Sequence, residues 1–454
     1  MSDRNLSSTI KNPQIEHPKT ESWAIIGGGM LGMTLAHRLV QQGKNVTLFE
    51  SANYLGGLAS AWQLGDLVWD RHYHVTLLSD TYLKNLLDEL GLAAEMQWVE
   101  TRTGLYTNGK LYSISNSIEF LRDFPLGLLG KIRFALTILY GSKIKNWQKL
   151  EKISVSDWLI RWSGKSVFEK IWLPLLRSKL GENYKIASAS FIWAIIARLY
   201  AARRTGLKKE MFGYVPGGYA KIIDRFAQVL AAENVKIELG HRVTRIERFN
   251  QGIKIQFDNG HEARCDRVIV TCAAPIAAQI CPDLTADEIN RLKAIQYQGI
   301  ICASLLLKKP LSDFYVTNIT EDWVPFTGVI EMSALVDLQN FHGNALVYLP
   351  KYVTQNDPDF ALSDSEIKAK FIQGLQRMYP EFDPRDILCF QVSKVRYVLA
   401  ISTLNYSEML PQINTSIPGL HIINTAHILN GTLNVNETIQ LAEKVSQQLF
   451  TLPI

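Results

Sequence analysis

Apolar and polar residues follow two different periods near the start of the 454-residue chain, and together they predict a strand–helix–strand unit. Trp23 to Ile26 is a short continuous apolar run of the kind that forms a buried strand. After three glycines, apolar residues recur at helical spacing from Met30 to Gln42, and Gly43 ends that helix. Val46 to Phe49 is a second apolar run. This order favours an α/β fold with a parallel, doubly wound sheet.

The remainder of the chain shows helical and strand patterns in separate blocks. A helix is predicted from Leu77 to Leu92, and the stretch from Ser117 to Leu207 is mostly helical by periodicity. Another helix follows the turn Pro216–Gly218 and runs to about Ala232. The later predicted elements are strands at Val235–Leu239, Val243–Arg248, Ile253–Phe257, Arg267–Thr271 and Gly419–Ile423, and a helix from Asn436 to Leu449. The order of the blocks predicts one dinucleotide-binding domain that is interrupted by a helical insertion and a second sheet.

The glycines after the first strand open a G-x-G-x-x-G motif, whose residues are Gly27, Gly28, Gly29, Met30, Leu31 and Gly32. The first glycine permits a tight turn, the second lets the backbone approach a pyrophosphate, and the third packs the helix against the strand. The positive end of the helix then faces the pyrophosphate. Glu50 follows the second strand, where an acid accepts hydrogen bonds from the adenosine ribose and repels a 2′-phosphate. NADP is therefore disfavoured, whereas NAD and FAD both fit.

Further motifs resemble those of the flavin amine oxidase and protoporphyrinogen oxidase superfamily, which also includes phytoene-type desaturases and UDP-galactopyranose mutases. They are the glycine pair Gly56-Gly57 with Leu58, the turn Pro216–Gly218, a strand at Val243 that resembles the segment pairing its backbone with adenine, and Asn424-Thr425 near the C-terminus. The resemblance implies FAD as the cofactor. It implies a Rossmann-type FAD/NAD(P)-binding domain with a discontinuous α+β substrate domain, as in the glutathione-reductase-like flavoprotein fold.

The resemblance also implies a division of the chain and a set of FAD contacts. Residues 1–20 are expected to be a flexible tail, because they are polar and contain two prolines. The FAD-binding domain is expected at 21–80, 211–295 and 396–454, and the substrate domain at 81–210 and 296–395. The implied FAD contacts are Gly27, Gly28, Gly29, Met30, Leu31, Gly32, Glu50, Gly56, Gly57, Leu58, Val243, Asn424 and Thr425.

The chain departs from the superfamily pattern at three places that bear on the reaction. Amine oxidases of this superfamily usually carry a lysine beside the reactive nitrogen of the flavin, and the matching segment Gly299–Ser304 has none. This counts against amine oxidation. Leu58 stands where many members have an arginine, so one phosphate contact is expected to be missing. Thr425-Ala426 replaces an acidic residue of many members, so backbone and Asn/Thr contacts are expected to hold the flavin there.

The segment from Asp70 to His74 contains the candidate catalytic residue. Many superfamily members have an Asp-x-Gly-x-His pattern here, with the histidine near the flavin; Asp70 and His74 match it, while His72 replaces the glycine. His74 is therefore expected to orient a substrate or to shift the flavin potential, and a hydrogen-bonded structural histidine is the alternative. Two imidazoles without a nearby Cys or acid cluster make a poor metal site, and no metal is predicted.

Composition and charge limit the cellular setting. No apolar run reaches the length of about 18 residues that a spanning helix needs, so no integral membrane span is expected. Five cysteines, with no C-x-x-C pair, are typical of reduced thiols in a cytoplasmic protein. The net charge is +5, but residues 126–210 carry 17 Lys and Arg against 5 Asp and Glu. This excess indicates a face that meets phosphates or anionic lipid, or a solvated helical face.

Two interpretations of the basic, tryptophan-rich insertion remain open. In the first, it docks on an anionic membrane and gives access to an apolar substrate, and the protein transfers hydride from a prenyl, carotenoid or tetrapyrrole-like substrate to flavin N5. In the second, its cations bind a phosphorylated substrate, as in a redox-neutral sugar-nucleotide mutase. A non-catalytic, flavin-stabilised protein is a third hypothesis. Nucleic acid is not an expected partner, because no recognised binding module is present.

Overall fold

The computed structural model describes residues 21–115, 119, 122, 124, 126–202, 211–429 and 431–451. The predicted tail at residues 1–20 lies outside the described residues, as do parts of the stretch from Ser117 to Leu207. The strands in these ranges are β1 Ser22–Ile26, β2 Asn45–Phe49, β3 Ala61–Leu64, β4 Leu67–Asp70, β5 Thr76–Leu77, β6 Gln97–Glu100, β7 Thr103–Thr107, β8 Lys110–Ser113, β9 Met211–Tyr214, β10 Lys236–Glu238, β11 Val243–Phe249, β12 Gly252–Phe257, β13 Glu262–Cys265, β14 Arg267–Val270, β15 Tyr297–Leu307, β16 Val316–Ile319, β17 Gly328–Glu331, β18 Ala345–Val353, β19 Ile387–Ala400 and β20 Leu420–Ile422.

The helices connect and cover these strands. Those of eight residues or more are α1 Met30–Gln41, α2 Thr81–Glu89, α3 Leu128–Lys143, α4 Val155–Ser163, α5 Leu173–Leu180, α6 Ala189–Ala202, α7 Gly218–Ala232, α8 Ala286–Ala294, α9 Asp364–Met378 and α10 Val435–Thr451. None of the helices in the described ranges combines the length and the apolar character that crossing a bilayer requires.

A five-stranded parallel sheet in the order β10-β2-β1-β14-β20 forms the centre of the nucleotide-binding part. Its middle strands carry apolar side chains on both faces, because helices cover one face and a second sheet covers the other. Helices α1, α7 and α10 pack on the first face, and the antiparallel sheet β11-β12-β13 packs on the second. The predicted strand–helix–strand unit and the parallel sheet are confirmed, while the second face is covered by a sheet, where a doubly wound fold has helices.

A seven-stranded mixed sheet in the order β19-β15-β18-β17-β16-β7-β8 forms the second part. Its second strand, β15, is buried along its whole length between β18 and β19. Helix α9 packs on one face through Ile367, Phe371 and Leu375. Strand β19 runs on without a break to Ala400, so it crosses position 396, where the predicted division of the chain falls. That division stays a prediction.

The helical insertion has a core of its own. Trp158, Trp172 and Trp193 are buried in it, together with leucines and isoleucines of helices α4 to α6. Trp162, in contrast, is exposed. Helix α3 packs on this core along one face, where Gly141 lies against Ile196 of α6 and Trp158 of α4. The insertion is therefore a small apolar layer with α3 on its outside.

The helix predicted from Leu77 to Leu92 is shorter in the structure. Thr76-Leu77 instead pairs with β9, and the backbone N–H of Leu77 donates a 2.8 Å hydrogen bond to the carboxylate of Asp80. Helix α2 then begins at Thr81 and ends at Glu89. The pairing with β9 overrides the local helical pattern, because strand hydrogen bonds and the Asp80 carboxylate satisfy the backbone groups of Thr76 and Leu77 without a helix.

A buried carboxyl group in the seven-stranded sheet gives the stability a pH dependence. Glu331 is fully buried and accepts hydrogen bonds from the Leu311 N–H, at 3.0 Å, and from the Ser333 hydroxyl. Burial raises the pKa of Glu331 from 4.5 to about 7, although these hydrogen bonds oppose the rise. The folded protein therefore retains a proton that the unfolded chain releases at lower pH.

We expect the unfolding free energy of Glu331→Gln to vary less with pH than that of the wild type. Because the folded-state pKa is raised, the wild type loses stability as the pH rises from 4.5 to about 7. The neutral amide does not take part in this titration. The unfolding free energy of the variant should therefore rise by about 2–3 kcal/mol relative to that of the wild type over that pH range. Urea unfolding at several pH values measures the difference. The exposed Glu381→Gln is the control, and equal pH dependence of all three proteins would contradict the prediction.

Candidate active site

The glycine motif between β1 and α1 is packed too closely for a side chain at Gly27, Gly28 or Gly32. Gly27 has a φ of +115°, and a Cβ at Gly32 would lie 1.9 Å from the Gly27 carbonyl oxygen. A Cβ at Gly28 would lie 2.6 Å from the Leu55 side chain. Helix α1 begins after Gly29, and no side chain caps its first N–H groups. The turn therefore offers backbone donors and the positive end of a helix to an anion.

Glu50 ties the glycine turn to the neighbouring loops. One carboxylate oxygen accepts the Gly28 N–H at 2.7 Å, and the other accepts the Ala52 N–H at 2.8 Å. The main chain of Glu50 accepts the His241 N–H at 2.9 Å, just before β11. Val243 follows on that strand and is half-buried. The predicted acid and the predicted adenine segment thus meet through one backbone hydrogen bond.

The second glycine pair lies directly on the first motif. The Gly56 N–H donates to the Gly28 carbonyl at 2.8 Å, and Gly29 and Gly56 form an isolated parallel bridge. Gly56 has a φ of +104°, and a Cβ at Gly57 would lie 3.2 Å from Cα of Gly29. The structure therefore brings both glycine motifs together.

The side chains of three predicted FAD contacts, Met30, Leu31 and Leu58, are buried or half-buried. The side chains of Met30 and Leu31 are buried in the core beneath α1, so only their backbone N–H groups face outward as donors at the helix start. Leu58 is half-buried, and its carbonyl oxygen lies 3.1 Å from Nδ1 of His72. These residues shape the turn through their backbone and packing.

Asp70 connects the histidine segment to the turn at 216–218. Its side chain is buried, and one oxygen accepts the Tyr219 N–H at 2.7 Å. The other oxygen lies 3.8 Å from Nδ1 of His74, and the His74 ring is 4.8 Å from the Tyr219 ring. The Tyr348 hydroxyl donates to the Asp70 carbonyl at 2.5 Å. Asp70 is thus a positioning residue between two of the predicted motifs.

Burial keeps the groups of this segment uncharged. It raises the pKa of Asp70 to about 8, and it lowers the pKa of His74 to about 3 with a smaller effect from His72. Burial also lowers the pKa of His72 to about 4. Near neutral pH, Asp70 therefore holds a proton and both imidazoles are neutral. A neutral imidazole has one nitrogen that accepts and one that donates.

Several buried polar atoms around this segment have no hydrogen-bond partner within the described residues. They are Ser60 Oγ, Arg71 Nε, His72 Nε2, His74 Nδ1 and, in the C-terminal motif, Asn424 Nδ2. Buried polar groups usually have partners, since leaving one unpaired costs about 1–3 kcal/mol. Such a group of unpaired atoms is expected where a polar ligand completes the site.

Asn424 and Thr425 follow β20 at the same edge of the parallel sheet as the glycine turn, because β20, β14 and β1 are neighbours. Asn424 is buried, and its side-chain oxygen accepts the Ala426 N–H at 3.1 Å. Thr425 lines a cavity between the helical insertion and the C-terminal motif. Its other lining residues are Phe191, Leu399, Ala400, Ser402, Ile428, Gly431, Thr432 and Leu433.

These features fit a flavin dinucleotide. The glycine turn, where a Cβ would clash, and the uncapped helix start suit a pyrophosphate, and Glu50 after β2 supplies a carboxylate of the kind that accepts from a ribose. The unpaired atoms near His74 and at Asn424 suit a polar ring system. Within the described part of the chain, no group of three or more His, Cys, Asp or Glu side chains could hold a metal ion.

Sequence reasoning did not identify several residues of this region. The contact of Asp70 with Tyr219 joins positions 149 apart in the chain, and Phe191 reaches the cavity from the insertion. Neither carries a local signal. Two lysines reach the segment Gly299–Ser304 from neighbouring strands, since Lys351 and Lys394 are both in register with Ile301. Lys351 forms an ion pair with Asp359, and Lys394 forms one with Asp364.

Comparison with known proteins identifies relatives of this chain. A stretch of 177 residues is 27% identical to protoporphyrinogen oxidase 2, chloroplastic/mitochondrial, of Arabidopsis thaliana, over 37% of this chain and 34% of that protein. A longer stretch of 286 residues is 22% identical to 15-cis-phytoene desaturase of Glycine max, over 57% of this chain and 48% of that protein. The chain thus matches between about a third and a half of the length of these relatives.

The fold extends over nearly the whole of a solved flavoprotein. The structure of reduced UDP-galactopyranose mutase has a TM-score of 0.73 and 16% identity, over 95% of this chain and 94% of that one. This likeness shows the glutathione-reductase-like fold alone. Residues 31–449 match the family model described as flavin containing amine oxidoreductase. The chain therefore belongs to the flavin-containing amine oxidoreductase family.

Proposed function

We propose that the protein is an FAD-dependent oxidoreductase that removes hydride from a hydrophobic substrate of the prenyl, carotenoid or tetrapyrrole type. Bound FAD supplies the hydride acceptor at its N5 atom. The relatives named protoporphyrinogen oxidase and phytoene desaturase support this substrate class. The observation that carries the proposal is the uncharged lining of the cavity beside Thr425, which has a volume of about 10 Å³ and would have to widen to admit such a substrate.

The chain's own residues would hold FAD from three sides. Backbone N–H groups at Gly29 to Leu31 would face the pyrophosphate, since the Gly28 N–H is held by Glu50, and the Glu50 carboxylate would also accept from the ribose hydroxyls. At the other end, the unpaired amide of Asn424 would donate to the ring system. This arrangement needs no acidic side chain at position 425 or 426, where many superfamily members have one.

The substrate would lie between the insertion and the C-terminal motif. Phe191, Leu399 and Leu433 give this cavity apolar walls, which would keep water from the reacting C–H bond once the cavity has widened around the substrate. His74 is buried and neutral, and it is held near Asp70 and Tyr219. It would therefore offer an uncharged polar group that orients a ring without adding a positive charge.

A sugar-nucleotide mutase is the second candidate. The likeness to UDP-galactopyranose mutase and the basic insertion favour it. However, the exposed cations Lys143, Lys145 and Lys149 belong to α3 and the turn after it, whereas α6 lines the cavity through Phe191. Cations at the cavity itself would favour a diphosphate, and none of the residues that line it is charged. The uncharged lining thus supports the hydrophobic substrate over the phosphorylated one.

Glu50→Ala should lower the amount of FAD that the purified protein retains. The variant loses the carboxylate that orders Gly28 and Ala52, so we expect FAD affinity to fall by about tenfold or more. The ratio of flavin absorbance to protein absorbance after dialysis measures the loss. Glu238→Ala on the neighbouring strand β10 is the matched control, because that side chain pairs with Lys236. Full flavin content in Glu50→Ala would contradict the assignment.

His74→Ala should slow flavin reduction by at least about tenfold while FAD content changes little. The side chain lies in the segment whose polar atoms lack partners, so its loss should alter substrate orientation more than cofactor retention. Stopped-flow reduction under anaerobic conditions measures the rate, with the exposed His261→Ala as control. A variant that loses FAD but keeps the reduction rate per bound flavin would make His74 a structural residue.

The reaction itself is tested by the visible spectrum of the purified protein and by anaerobic titration with candidate donors. We expect flavin bands that bleach when phytoene or a porphyrinogen is added, and that return with oxygen or a quinone. Turnover of a sugar nucleotide only after pre-reduction of the flavin would select the mutase instead. A colourless protein that cannot be reconstituted with FAD would contradict both functions.

A further inference from the structure

Helix α3 presents an apolar surface to solvent. Leu128, Leu129, Ile132, Leu136, Leu139 and Tyr140 are each 39–71% exposed. At 3.6 residues per turn these six positions fall within an arc of about 120°. Trp162 of α4, which is also exposed, extends the arc because its ring stacks on Tyr140 at 4.0 Å. We call these seven side chains the apolar face. Soluble surfaces rarely expose so many large apolar side chains side by side.

Around the apolar face, exposed cations outnumber carboxylates, since Asp157 is the one exposed acidic residue from Leu128 to Ser163. Helix α3 contains no Asp or Glu, and exposed cations lie on it and on the segments that follow, at Arg133, Lys143, Lys145, Lys149, Lys152 and Arg161. In the part of the chain that the structure describes, no carboxylate lies within ion-pair distance of Lys143, Lys145, Lys149 or Lys152. A solvated helical face would be expected to mix both signs of charge.

We propose that the apolar face and these cations form a docking surface for an anionic lipid bilayer, with α3 lying in the plane of the interface. The apolar side chains would enter the acyl boundary, and the lysines would contact lipid phosphates. A second copy of the chain fits less well, because a two-fold interface on this face would bring the same unpaired cations against each other. The charge thus selects the lipid surface as the occupant.

Helix α3 lies close to the cavity beside Thr425, so a bilayer on its outer side would be near that cavity. The inner side of α3 packs on α6 at Gly141 and Ile196, and α6 contributes Phe191 to the cavity beside Thr425. The bilayer would therefore lie one helix layer from that cavity. The inference does not depend on the proposed reaction, since lipid binding is measured on the protein without turnover.

Vesicle sedimentation of the flavin-loaded protein tests the proposal. We expect the wild type to sediment with vesicles of phosphatidylcholine containing about one third phosphatidylglycerol, and much less with phosphatidylcholine alone. Salt should weaken the binding because it screens the lysines. Leu129→Glu/Leu136→Glu should bind the anionic vesicles at least about tenfold more weakly.

The matched control is Val68→Glu/Leu388→Glu, which makes the same charge change at positions of 50% and 49% exposure outside the insertion. It should bind the vesicles like the wild type, and the flavin content of both variants should be unchanged. Equal binding by Leu129→Glu/Leu136→Glu and the wild type would overturn the proposal. A wild type that does not bind the vesicles would also overturn it. If that wild type forms a dimer and Leu129→Glu/Leu136→Glu is a monomer, α3 is a protein interface.

Discussion

The close approach of helix α1 to the end of strand β1 is the constraint on which the nucleotide-binding part depends. Only glycine can occupy position 32, because a Cβ would lie 1.9 Å from the Gly27 carbonyl. This approach aims the first N–H groups of the helix at the sheet edge, and the Gly28 N–H is fixed by Glu50 at 2.7 Å. The Gly56 loop then closes on the same turn through the Gly28 carbonyl. A single side chain in this turn would therefore separate three segments.

The polar groups next to this edge are held in place, but some of them lack hydrogen-bond partners within the described residues. Asp70 uses one oxygen on the Tyr219 N–H, and burial favours its protonated form. His74 Nδ1 and Asn424 Nδ2 remain unpaired in a dry environment. A fold that buries such atoms loses stability unless another group satisfies them. The protein alone is thus incomplete at this edge, and the binding of a polar ring system would recover part of the loss.

The sequence was most informative where local chemistry and fold agree. Strands β1 and β2, helix α1 and the glycine spacing were predictable, because a parallel sheet needs continuous apolar strands and the motif needs glycines at fixed positions. The helix at Leu77 was overpredicted, since pairing with β9 is a tertiary event. The role of Asp70 at Tyr219 and the position of Phe191 in the cavity were not predictable, because each depends on contacts between distant segments.

Helix α3 shows why periodicity cannot decide which apolar side chains are buried. Phe134 and Ile138 pack inward on the insertion core, while Leu129 and Leu136 point outward on the same helix. A helix that is apolar on both sides is normally enclosed by protein or by lipid. Within the described residues, the inner side of the helix packs on protein. The outer side is exposed, and lysines lie beside it. An interface with lipid headgroups supplies both an apolar phase and anions, so it matches the outer side of the helix.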